Sequence, residues 1–78
     1  MLQITKNEKS VSFINGNNKS ERAFNTVDYN IIDSDTVIFQ HVDTRTTLVS
    51  EKIGNIEVDG VQLTAENADE KLQDALFF

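Results

Sequence analysis

The densest group of side chains able to do chemistry is Asp28, Asn30, Asp33 and Asp35, four oxygen-bearing residues close together in the chain. A hard cation such as calcium takes about six to eight oxygens, and acidic loops supply them. This stretch lacks the glycine and closing glutamate of a helix–loop–helix calcium site, and Ile31-Ile32 interrupts it. Asp and Asn as turn formers explain the cluster more simply. His41 is the only histidine and lies inside the apolar run TVIFQHV. A zinc site or a nucleophilic triad would need it to meet further ligands or a nucleophile, and the chain has no Cys. It reads as a structural or solvent-facing strand histidine. Thirteen Asp and Glu guarantee that some carboxylates lie close together, yet no pair is set apart by its position. The three glycines each fall at a turn or strand boundary, so no loop is rich enough in glycine to cradle a phosphate. The reading assigns no catalytic, cofactor-binding or metal-ligating residue and expects a protein that is not an enzyme.

Charge narrows the partners. The formal charge is -6, and the seven basic residues (Lys6, Lys9, Lys19, Arg22, Arg45, Lys52, Lys71) form no stripe. Binding a phosphate backbone requires clustered bases that replace counterions, so nucleic acid is not an expected partner. Mimicry of nucleic acid would need acids arrayed along one face, whereas here they are spread and partly balanced. No apolar run is long enough to span a membrane, and MLQITKNEKS lacks the apolar centre of a signal peptide. The Asn18-Lys19-Ser20 triplet matches an N-glycosylation acceptor, a match common by chance.

Size points the same way. A single domain of 78 residues without Cys sits near the lower limit of independent folding. Ordering it costs roughly 1.5 kcal/mol per residue, comparable to the apolar burial so short a chain can achieve. Self-association, or docking on a larger assembly, relieves that shortage. The chain also has no proline, one of the usual means of blunting an exposed strand edge.

Local patterns then place the elements. Leu2 and Ile4 alternate with polar residues, as do Val11 and Phe13. A two-residue turn at Asn7-Glu8 sets Lys6 opposite Lys9, Ile4 opposite Val11 and Leu2 opposite Phe13, with the apolar residues on one side. The facing lysines count against this register, and a longer loop relieves them. Asn15-Gly16 is a turn dipeptide, and the polar, aperiodic residues 15–22 read as a mobile loop. Ala23 to Ile32 reads as extended structure broken near Asp28, with Asp33-Ser34-Asp35 a turn. Thr36–Val42 is the strongest strand, returned by Asp43-Thr44-Arg45 into Thr46–Ser50. Val37 and Phe39 lie on one face of it and Ile38 and Val42 on the other, while Leu48 and Val49 point opposite ways. A strand apolar on both faces sits between two layers.

The chain from Ile56 onward is the best-defined unit. An Asp59-Gly60 turn pairs Val58 with Val61 and Ile56 with Leu63 on one face, as a type I′ hairpin requires. Thr64 caps a helix over about residues 64–77. Asn67 is an alternative cap, with Glu70 completing a capping box. Residues 65, 68, 72, 75 and 76 form its apolar stripe. The expected fold is α+β: a small, mainly antiparallel β-sheet or open barrel or sandwich with one C-terminal amphipathic helix.

Phe77-Phe78 lie beyond the last full turn of that stripe. Phe77 is expected to close the chain's own core and Phe78 to enter a neighbour's. With Ile38, Val42 and Val49 they are the candidate interaction residues. The Asp-Gly hairpin followed by LTAENADEKLQDALF resembles the closing unit of small bacteriophage structural proteins, and the short, Asn- and Thr-rich, Pro- and Cys-free chain is similar to that group as well. The resemblance covers the last 23 residues or so and carries no catalytic motif. It implies a non-enzymatic head, neck or tail component, found in the virion or host cytoplasm and acting through contacts with other protein subunits. The other reading is a small acidic binding module or inhibitor of a host protein.

Overall fold

The computed structural model describes every residue from Met1 to Phe78. The elements are β1 (Leu2–Lys6), β2 (Ser10–Asn15), β3 (Asn18–Ala23), β4 (Val27–Ile32), β5 (Thr36–His41), β6 (Thr47–Lys52), a 3-10 turn at Ile53–Asn55, β7 (Ile56–Val58), β8 (Val61–Gln62) and α1 (Ala68–Phe77). They form a five-stranded sheet in the order β3-β2-β1-β7-β8 and a three-stranded sheet in the order β4-β5-β6. Every pairing is antiparallel except that of β1 with β7. The fold is α+β, two packed sheets with one C-terminal helix.

Alternation builds the core. Leu2 and Ile4 of β1, Val11 and Phe13 of β2, and Ile56 and Val58 of β7 are buried on the inner face of the larger sheet. Val27 of β4 and Val37 and Phe39 of β5 are buried on the smaller one. The Phe13 and Phe39 rings meet edge to face with centroids 5.5 Å apart, joining the sheets. Ala68, Leu72, Ala75 and Leu76 of α1 complete a single cluster of 15 buried residues, so sheets and helix share one core.

Several sequence expectations need correction. The first hairpin pairs Lys6 with Val11, Ile4 with Phe13 and Leu2 with Asn15, two residues away from the expected register. A shift of two preserves the face, so the apolar side is unchanged. The longer loop, closed by the Asn7 N–H on the Ser10 carbonyl at 2.8 Å, separates Lys6 from Lys9. Lys6 then reaches across the molecule. Its ammonium donates to the Asp74 carbonyl at 3.1 Å and lies 5.1 Å from the Phe24 ring centroid. A cation at the last turn satisfies a free helix carbonyl and complements the dipole. The Lys6 N–H donates to the Asp59 carboxylate at 2.9 Å, extending the β1–β7 ladder into the hairpin turn.

Residues 15–22 are not a loop. They are a tight turn followed by β3, which pairs along its whole length with β2. Gly16 has φ of 64°, at the first loop position that a type II′ turn reserves for glycine. The break expected near Asp28 lies slightly earlier: β3 ends at Ala23, Asn25 turns the chain with φ of 67°, and β4 then runs unbroken from Val27 to Ile32 opposite β5.

The Asp59-Gly60 hairpin forms as expected, with φ of 50° and 83° at its two turn residues. Val61, on the short edge strand, is exposed although its partner Val58 is buried. At the helix entry the Asn67 N–H donates to the Thr64 hydroxyl at 3.2 Å while the Asn67 side chain accepts from the Thr64 N–H at 2.7 Å. This is the reciprocal geometry of a capping box with Asn in the position of Glu. The helix starts at Ala68 and not near residue 64: Asn67 holds the N-cap position without a side-chain cap bond, no capping box with Glu70 forms, and Thr64 braces the turn that leads in. Ala65 is exposed, leaving positions 68, 72, 75 and 76 as the buried stripe.

Candidate functional site

The residues suited to chemistry are drawn into turns and ladders. The Asp28 carboxylate accepts from the N–H of Tyr29. Asp33 sits in the β4–β5 turn with φ of 53°. Asp35 accepts from the Lys52 ammonium at 3.1 Å and from the Thr36 hydroxyl, and the first of these, then the second, holds its carboxyl below the usual range. Because β4 is continuous, roughly 13 Å of strand separates Asp28 from Ile32, where the turn holding Asp33 begins, at about 3.3 Å per residue. No group of three or more His, Cys, Asp or Glu side chains stands together. His41 Nδ1 accepts from the Asp43 N–H at 3.3 Å, inside the β5–β6 turn.

The interaction candidates fall on different surfaces. Ile38 is half-buried on the outer face of the small sheet, between Asn30 and Ser50. Val42 follows β5 and is exposed, as is Ile32. Val49 lies opposite Phe39 and belongs to the inner face. A register shift between Phe39 and Gln40 lets Leu48 and Val49 border the same space instead of pointing opposite ways. Phe77 is half-buried and its ring lies 6.3 Å from that of Tyr29. Phe78 is 74% exposed.

The space beside Val49 is a cleft of about 270 Å³ between β3 and β6. Leu2, Phe13, Leu48 and Val49 supply its apolar surface, and Asn15, Asn18, Lys19, Ser20 and Arg22 the remainder. It contains two bases and no acid. Its wall, β3, is an edge strand. The Phe24 N–H bonds the Lys9 carbonyl, which fixes the phase of the β2–β3 ladder. Hydrogen-bonded pairs alternate in an antiparallel ladder, so Lys19 and Glu21 turn their backbone groups to the open side.

Neither β3 nor the cleft is legible in the hydrophobic pattern. The inner face of β3 carries Asn18, Ser20 and Arg22, because it looks onto the cleft and not the closed core. The available signal was the Asn15-Gly16 turn following a good strand.

Tyr29 fixes the position of α1. Its hydroxyl donates to Asp69 at 2.8 Å and accepts from the Gln73 amide at 3.1 Å. Burial, then the bond to Asp69, raises its pKa above the ordinary 10.0. The folded state thus favours the neutral phenol. That contribution is complete below pH 10 and is lost as pH rises through the folded value. Tyr29 is the only tyrosine, so tyrosinate absorbance reports it alone, and its midpoint should lie above 10.0 in the folded chain. Tyr29→Phe should cost about 1 kcal/mol, lowering Tm by about 4–8 °C, and flatten the alkaline loss. A midpoint at or below the ordinary value would show that the phenol is not docked on α1.

Comparison with protein-family models gives no match, and comparisons with curated proteins and with solved structures give none either.

Proposed function

We propose that this chain is a non-enzymatic structural or assembly protein, a head, neck or tail component of a bacteriophage virion that works through contacts with other protein subunits. The observation carrying this reading is the full-length edge strand β3 standing open beside a cleft with an apolar floor. An unpaired edge is a template for another chain. Lys19 and Glu21 on it deter indiscriminate pairing and favour a partner of matching charge. The resemblance of the Ile56–Phe78 hairpin and helix to small phage structural proteins supplies the setting, in virion or host cytoplasm. Mass spectrometry of purified particles tests it. The expected result is this chain at several copies per particle, and its absence from particles would overturn the reading.

The excess of acids favours a second reading, an acidic module that binds one host protein. Exposed charge attraction is screened within about 10 Å at 0.1 M salt. That reading therefore requires affinity for the partner to fall steeply with salt, and affinity indifferent to salt would remove it.

A further inference from the structure

We infer that the β3–β6 cleft is the acceptor for the exposed end of α1 from a second copy of this chain, with Phe78 entering it and Asp74 meeting its basic rim. The inference deepens the assembly reading and rests on it.

The two surfaces match in chemistry. In a chain with thirteen acids and seven bases, a cleft bordered by Lys19 and Arg22 and by no acid runs against the overall balance. A partner with an apolar group beside a carboxylate complements it. The end of α1 offers that pair. Phe78 and Asp74 are both exposed; Asp74 lies in the last turn of α1 and Phe78 follows that turn directly as the C-cap residue. A cavity of about 150 Å³ is enough to hold benzene, so the cleft of about 270 Å³ has room for a phenyl ring.

The donor is also held in place before it binds. Ala75 and Leu76 anchor the last turn in the core, and Lys6 bonds the Asp74 carbonyl. A group fixed in its bound position loses less freedom on association. Phe78 is not among the residues bordering its own cleft. Leu2 in the cleft and Lys6 beside Asp74 sit at opposite ends of β1, roughly 13 Å apart at about 3.3 Å per residue. Donor and acceptor are therefore different patches, so each contact joins the donor of one copy to the acceptor of the next, either reciprocally in a two-fold dimer or head to tail. The head-to-tail form generates rings or open chains, which suits a component used in many copies, and the mass reached in sedimentation separates it from a closed dimer.

Sedimentation of the full chain over a concentration series tests the inference, with Phe78→Ala as donor variant and Arg22→Glu as acceptor variant. The wild type should exceed the mass of one chain, 8.8 kDa, as concentration rises. Each variant should associate about 30-fold more weakly, the loss typical of a central aromatic or arginine anchor. Mixed together, the two variants should form pairs and go no further, since R22E retains a donor and F78A a cleft. Adding Asp74→Arg to R22E should restore association. In the wild type, Leu48 and Val49 methyl resonances should shift with concentration through the ring current of Phe78, and F78A should abolish the shift. If R22E proves unfolded, D74R alone carries the test as a second donor variant, exposed on the helix. Association unchanged by F78A and D74R overturns the inference and leaves the assembly reading standing through another surface, such as strand addition on β3. A wild type that stays at one chain's mass overturns the inference, and particle composition then decides the reading separately.

Discussion

Replacing Phe39 by alanine should remove a quarter or more of the stability of this domain and lower its Tm by roughly 12–40 °C. Phe39 lies at the middle of the central strand of the small sheet and is 0% exposed. Its ring meets Phe13 of the larger sheet edge to face, an arrangement worth about 0.5–1.5 kcal/mol beyond burial. Truncating a buried Phe to Ala costs about 3–5 kcal/mol in lost transfer and cavity terms. At about 0.05–0.15 kcal/mol per residue, a chain this short holds only about 4–12 kcal/mol. Urea midpoints with an unchanged slope measure the loss. Phe78→Ala is the matched control, since its ring is 74% exposed in the folded chain. At concentrations low enough that the chain does not associate, it should stay within about 0.5 kcal/mol of wild type. A loss at Phe39 no larger than at Phe78 would mean that the two sheets are not packed through β2 and β5.

The same contrast shows how far the sequence could be read. Val37 and Phe39 alternate with polar or less buried neighbours in a β-branched run, and Asp59-Gly60 closes a hairpin between adjacent strands. Both signals are local, and both elements form as expected. The helix stripe at 68, 72, 75 and 76 was legible for the same reason. Where residues far apart decide the outcome, the local pattern was silent. Nothing in LQITK or IEV marks β1 and β7 as parallel neighbours, yet that pairing places Asp59 on Lys6 and so locates the helix end. The facing lysines count against the short-turn register, and the longer loop that relieves them is the one observed. The partners of Lys6, Asp59, Asp74 and Phe24, are distant in the chain and could not be read from the local pattern. β3 was hidden for a different reason, since an edge strand facing an open cleft needs no apolar alternation. The candidate site lies where β3 and β6 come together, so it could not be seen before the topology was known. Of the residues proposed from sequence for interaction, Phe78 and Val49 enter the inferred contact from opposite sides. Ile38 and Val42 lie on the outer face of the small sheet, away from it.

Leu72→Ala should cost about 2–5 kcal/mol and unfold the whole domain in one step. Leu72 is 0% exposed at the centre of the buried face of α1. A helix of ten residues has no independent stability in water, so α1 exists because it is docked. The sheets depend on the helix in return. Leu2, Ile4, Ile56 and Leu63 share one core cluster with Leu72 and Leu76, and the helix packs on β1, β4 and β7. Undocking α1 would expose that surface to water at about 25 cal/mol per Å². Far-UV circular dichroism, which follows backbone structure, and Tyr29 fluorescence, which follows the β4–α1 contact, should therefore report the same transition in wild type and variant. Two separated transitions would show that α1 is a lid able to open while the sheets persist. The distinction bears directly on assembly. A lid would let Phe78 sample many positions and bind only after an ordering cost. A helix that cannot leave without unfolding the domain keeps Phe78, which follows its last turn, at one end of the domain, which is what a repeated contact requires.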